Sequence, residues 1–125
     1  MPEIDLPGHA AAIGKARPDL AFSCASMSVP QDVPWEGADS GHWTLDYTKP
    51  EPRRFARALV AEVADVFDSP YLHIGTDEVP LTAAQEACPE LVAYQKEKGY
   101  PYPGDVLVEF IDELDEVVRA KGRTT

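Results

Sequence analysis

A chain of 125 residues is long enough for one domain with a modest core. Its 44% hydrophobic and 26% charged content is that of a folded domain, not a disordered segment. Twenty-two acids against 11 Lys and Arg give a formal charge of -11, which argues against nucleic acid or an anionic membrane as a partner.

No apolar run approaches the roughly 20 residues that span a bilayer. No signal peptide precedes the first predicted strand, which opens directly at Met1 as in a segment truncated at its N-terminus, so localisation stays unassigned. Cys24 and Cys88 form no C-x-x-C pair, and such sparse usage favours two free thiols over one disulfide.

Residues 1–6 read as a strand, with Ile4 and Leu6 on one face and Glu3 and Asp5 on the other. Pro7-Gly8 is a turn, and residues 10–16 suit a short helix that Pro18 stops. Residues 23–52, with prolines and glycines spread along them, form an irregular stretch of the length associated with function; it contains Trp35, His42 and Trp43.

Residues 53–67 are predicted as a helix, with Phe55, Leu59, Val63, Val66 and Phe67 on one stripe. Ser69-Pro70 ends it and a strand follows over 71–76. Short helical segments are expected over 82–88 and 89–98, the second ending at Gly99. After a Pro-rich elbow, Asp105 suits the N-cap of a last helix. Its apolar face comprises Leu107, Phe110, Ile111, Leu114, Val117 and Val118, and Gly122 terminates it. Strands alternating with helices predict an α/β fold with parallel pairing. Two strands cannot close a barrel or fill a doubly wound sheet, so the chain reads as the middle of something larger.

The chemistry concentrates at the two strand ends. Tyr71-Leu72-His73-Ile74-Gly75-Thr76 runs into the adjacent carboxylates Asp77 and Glu78, and acids at a strand end are where barrel enzymes keep their chemistry. A desolvated Glu78 can serve as general acid while Asp77 stays ionised. Alternation sends Asp77 to the face of His73 and Gly75, so the strand must end or bend at Glu78 for both acids to serve one cleft.

Asp5 and His9, four residues apart across the Pro-Gly turn, can form a pair in which the carboxylate fixes the imidazole tautomer; a histidine capping the following helix is the plainer reading. His73 suits a satisfied core histidine. Trp35 and Trp43 can stack on a sugar ring or simply anchor their loop. Asp5, His9, His73 and Asp77 also admit a divalent metal, although no tight ligand spacing supports one and no metal or other cofactor is expected. Nucleophile-elbow, phosphate-loop and dinucleotide motifs are absent from the sequence.

The run Met-Pro-Glu-Ile-Asp-Leu-Pro-Gly-His at 1–9, together with His-Ile-Gly-Thr-Asp-Glu at 73–78, resembles the signatures of the β-N-acetylhexosaminidases of glycoside hydrolase family 20. The helix between these motifs is similar too. The resemblance implies an eight-stranded (β/α) TIM barrel, with the two motifs on its third and fourth strands. Residues 1–125 are then an incomplete catalytic barrel domain, since a full barrel takes about 250 residues.

The family's mechanism implies that Glu78 is acid and then base, and that Asp77 orients the substrate's own 2-acetamido group, which attacks the anomeric carbon. This is a substrate-assisted exception to the two-carboxylate scheme. Asp5 and His9 match the supporting proton network and His73 a structural member of it. The implied partners are glycans with terminal β-linked GlcNAc or GalNAc.

Thr76 stands where many members carry a second glycine, and a β-branched residue there disfavours positive φ. The family's clamping arginine and its further pocket aromatics belong to segments outside the chain. An isolated chain of this kind is expected to lack turnover and to self-associate through exposed sheet edges. The alternative is a catalytically incompetent fragment or structural unit. A family 18 chitinase is disfavoured, because its D-x-x-D-x-D-x-E run is missing.

Overall fold

The computed structural model describes residues 1–27, 44–76, 79 and 82–125. Its strands are β1 (Glu3–Leu6) and β2 (His73–Gly75). Its helices are α1 (Ala11–Ala16), α2 (Pro50–Val66), α3 (Ala83–Glu86), α4 (Pro89–Lys98) and α5 (Gly104–Ala120). Short 3-10 turns lie at Pro18–Leu20 and Ala25–Met27.

β1 and β2 pair in parallel, Glu3 opposite His73 and Leu6 opposite Gly75, with a register irregularity between them. The last residues continue this sheet. Tyr71 bridges Thr124 in parallel, Leu72 N–H donates to the Thr124 carbonyl at 3.0 Å, and Thr124 N–H donates to the Pro70 carbonyl at 2.9 Å. The α/β reading of the sequence therefore holds, and the chain after α5 returns to the side of β2.

The helices begin and end for local reasons. α2 starts at Pro50, three residues before the expected Arg53, because prolines at the first turn sacrifice no hydrogen bond. α3 carries a reciprocal cap between Thr82 and Gln85. α4 ends at Gly99 with φ 71°, a left-handed position that costs glycine nothing. α5 begins one residue before Asp105, which acts within the first turn by accepting the Tyr102 N–H at 3.0 Å. Gly122, at φ 71°, closes it as expected.

One face of the sheet is sealed. Leu6, Leu72 and Ile74 pack with Val60, Val106, Phe110, Leu114 and Val118 of α2 and α5. The expected α5 face is the observed one, centred on Phe110, Leu114 and Val118 with Val106 added. The expected α2 stripe is rotated. Its buried positions are Pro52, Arg53, Ala56, Val60 and Ala64, while Val66 and Phe67 are exposed. Alanines at the seam let α2 approach α5 closely, and the larger Phe55, Leu59 and Val63 flank the core.

Arg53 is 7% exposed yet charged. Its guanidinium reaches Glu109 at 3.0 Å, Glu113 at 2.5 Å and the Tyr47 carbonyl at 2.6 Å, and stacks 5.0 Å from the Tyr94 ring. A single cation thus ties α2, α4 and α5 to the segment that enters α2.

The expected free thiols are corrected. Cys24 and Cys88 form a disulfide, with Cα atoms 6.0 Å apart across 64 residues of sequence. The fold brings the turn at 25–27 against α3, and that packing sets the two cysteines side by side.

Candidate active site

The helices seal one face, and among the described residues the polar side chains of both strands lie on the opposite, more exposed one. Glu3 and His73 meet across the strands, Oε1 to Nδ1 at 3.1 Å, each about half exposed. The Gly75 N–H also points at His73 Nδ1, at 3.2 Å. One nitrogen serves only one of these contacts at a time: protonated it donates to Glu3, unprotonated it accepts from Gly75. Glu3 is the partner of His73 that sequence reasoning missed. The pairing register sets the two residues opposite one another, and two short strands do not specify that register in advance.

Asp5 lies farther along β1. A side chain at Gly75 would place its Cβ 2.5 Å from the Asp5 Cα, 2.6 Å from the Ile4 carbonyl oxygen and 2.7 Å from the Leu6 nitrogen. Glycine is therefore what lets β2 lie this close to β1. Asp5 Oδ1 is buried and has no hydrogen-bond partner among the described residues. A buried acceptor without a donor is costly, which sets Asp5 apart from the satisfied polar groups of the core.

Both strands leave the sheet by unusual backbone. β1 exits through a cis Leu6-Pro7 bond and then His9, half-buried at φ 50°. β2 exits through Gly75 at φ 79° and Thr76 at φ 83°. β2 ends at Gly75, and the bend expected at Glu78 lies outside the described residues. Thr76 adopts the positive φ that its β-branch disfavours, at a cost of about 1–3 kcal/mol.

The structure thus brings Asp5 beside the end of β2 and His73 beside Glu3 on the open face, with His9 on the turn that follows β1. Among the described residues, Asp5, His9 and His73 do not converge to within metal-ligand reach; the one such group is Cys24, Cys88 and Glu90. Asp77, Glu78, Trp35, His42 and Trp43 lie outside the described residues.

The arrangement is that of an α/β unit whose parallel strands end in polar residues on one open face. The family follows from comparison. The model of the glycosyl hydrolase family 20 catalytic domain matches residues 1–125, and the chain belongs to that family.

The chain is 30% identical over 124 residues to the beta-hexosaminidase subunit A1 of Dictyostelium discoideum, covering 99% of this chain and 21% of that protein. It is 34% identical over 100 residues to a beta-hexosaminidase of Vibrio furnissii, covering 80% of this chain and 16% of the relative. Among solved structures, it superposes on the family 20 exo β-N-acetylglucosaminidase of Vibrio harveyi in complex with N-acetylglucosamine. That match has a TM-score of 0.76 at 26% identity, over 98% of this chain and 18% of the other. The β-N-acetylhexosaminidase of Bacteroides fragilis superposes with a TM-score of 0.73 at 25% identity, over 98% and 22% of the two chains. The chain spans about a fifth of the length of the relatives it matches.

Proposed function

We propose that this chain supplies the proton-transfer part of a β-N-acetylhexosaminidase, acting within a longer protein that removes terminal β-linked GlcNAc or GalNAc. In this reading β1 and β2 are the third and fourth strands of a (β/α) barrel, and Tyr71–Thr124 pairing begins the fifth. The open face of Glu3, Asp5 and His73 then faces the barrel interior. The observation that carries the reading is the parallel pairing that sets Leu6 opposite Gly75, so that both motifs leave the sheet at the same end, Asp5 against the strand that leads into Asp77 and Glu78.

Glu78 protonates the leaving oxygen and then deprotonates the incoming water. Asp77 holds the substrate's 2-acetamido group so that its carbonyl oxygen attacks the anomeric carbon, and a cyclic intermediate replaces a glycosyl-enzyme. Asp5 supplies an acceptor on the inner face, and with His9 it steers the proton affinity of the acid. His73 braces the strand end through Glu3 or the Gly75 N–H. Trp35 and Trp43 offer apolar faces for the sugar ring. Self-association through the sheet edges belongs to the isolated segment, where neighbouring strands are not supplied.

The test is steady-state hydrolysis by the complete protein that carries this chain. Glu78→Gln lowers turnover about 10²–10⁴-fold on substrates with poor leaving groups, the usual contribution of general acid help, and less on an activated aryl glycoside. Asp77→Asn suppresses both substrates, because it strikes the acetamido attack. Equal activity in wild type and Asp77→Asn overturns the mechanism.

A further inference from the structure

We propose that Cys24, Cys88 and Glu90 form a redox latch on the candidate active site, a carboxylate-guarded disulfide whose opening lowers activity while the fold persists. The proposal rests on the reading above that Asp77 and Glu78 carry the chemistry.

The bridge joins two segments that sequence ties to that site. Cys24 immediately precedes the 25–27 turn, from which the chain enters the stretch bearing Trp35 and Trp43. Cys88 lies ten residues after Glu78, at the cap of α4, and closes the segment that begins at the acid pair. In sequence the disulfide brackets Trp35, Trp43, His73, Asp77 and Glu78, and it reinforces the contact of α3 with the 25–27 turn. The pairing of β1 with β2 and the packing of α2 on α5 do not run through it. Cys88 is itself buried in the core, so opening the bridge removes a covalent tie while the strand pairing and the α2–α5 packing keep their own contacts.

The surroundings control how it opens. Cys88 is 1% exposed, whereas Cys24 is only partly buried. Glu90 Oε2 lies 3.2 Å from Cys88 Sγ, a contact without a shared proton while the disulfide is closed. Ser23 Oγ donates to the other oxygen of Glu90. That hydrogen bond holds the carboxyl below its usual range, so Glu90 is an anion at neutral pH.

An external dithiol meets Cys24 first. Its thiolate attacks Cys24 Sγ, the S–S bond breaks, and the electron pair leaves on Cys88 Sγ, which then takes up a proton. The second thiol of the reductant displaces Cys24 from the mixed disulfide. Two protein thiols and an oxidised dithiol result, two electrons having passed to the protein. Charge building on Cys88 beside the Glu90 anion is disfavoured, and a poor leaving thiolate slows the step. Glu90 is thus the guard of the latch. Once open, the Cys88 thiol can donate a proton to the same carboxylate.

The experiment uses the complete protein and an aryl N-acetyl-β-glucosaminide, with dithiothreitol as reductant. Alkylation and mass mapping of Cys24 and Cys88 are followed against activity, and circular dichroism reports the fold. The expected result is a loss of turnover of roughly tenfold or more, as misplaced catalytic groups give, that tracks thiol appearance while the spectrum is unchanged. Glu90→Gln, starting from wild-type activity, is expected to open several-fold faster at the same dithiothreitol concentration.

No hydrolysis before reduction sinks the enzymatic reading and the latch with it. Hydrolysis that survives labelling of both cysteines sinks only the latch. So does loss of the folded spectrum, which makes the bridge a staple of the fold, or an unchanged opening rate in Glu90→Gln. If dithiothreitol leaves the bridge closed, the folded double variant Cys24→Ser, Cys88→Ser takes its place, and full activity there overturns the proposal.

Discussion

The two faces of this small parallel sheet are built on opposite terms. Toward α2 and α5, Leu6, Leu72 and Ile74 are almost fully buried and the buried cation Arg53 has its partners in place. On the other side Glu3 and His73 remain half exposed, and Asp5 keeps a buried oxygen with no described donor. A face that buries apolar surface supplies stability, at about 25 cal/mol per Å². A face that keeps unsatisfied polar groups spends some of that stability to hold chemistry in place. With the function proposed above, mutations on the first face should act on folding and those on the second on turnover, and single substitutions can break that division.

The largest effect is expected where the faces share a backbone. Gly75→Ala forces a methyl group to within 2.5 Å of the Asp5 Cα and puts a side chain at φ 79°. Overpacking against unyielding backbone and the left-handed penalty together cost about 4 kcal/mol. Denaturant unfolding should show that loss, and activity should fall with it because β1 and β2 separate. A variant with unchanged midpoint and turnover means that the strands do not lie this close.

Arg53→Ala tests the sealed face alone. It leaves Glu109 and Glu113 facing an apolar seam, at a cost of about 3 kcal/mol, the low end for breaking a buried pair because both acids keep partial contact with water. Turnover per folded molecule should be unchanged well below the melting temperature. The pH dependence carries a sign. Burial pushes the Glu109 carboxyl up, but hydrogen bonds from Arg53 and Tyr94 and the nearby positive charge outweigh it and hold the group below its usual range. A depressed carboxyl adds stability above its unfolded value and loses it as pH falls through the folded one. Wild type should therefore lose this increment in acid, and Arg53→Ala should show a flatter acid limb. A parallel limb in the two proteins removes Glu109 from the account.

These residues also mark how far the sequence could be read. Helical periodicity located α2 and α5, and alternation located both strands, because burial on one face writes itself into spacing. Arg53 escaped because a Pro-Glu-Pro-Arg-Arg start looks like a solvated first turn. Only the tertiary arrival of Glu109 and Glu113, more than fifty residues later, makes its burial tolerable. The bridge escaped for a related reason: nothing local links cysteines 64 residues apart. The site motifs were legible as a family resemblance, and their parallel placement followed from the α/β alternation. The contact of Glu3 with His73 needed the register, which a strand of three residues beside one of four does not specify.

The smallest effect belongs to the outer end of the open face, at Thr76. Its φ of 83° is unfavourable for a β-branched side chain, by about 1–3 kcal/mol, whereas glycine adopts such an angle freely. Glycine also adds freedom to the unfolded chain, which costs about 0.4–1 kcal/mol. Thr76→Gly should therefore gain about 1 kcal/mol, read as a higher denaturant midpoint with an unchanged slope. A gain here, beside the losses at Gly75 and Arg53, would show the strand exit holding strain that the sealed face supports. A loss would mean that the threonine side chain is itself packed in place, and the line between the two faces would move one residue closer to Asp77.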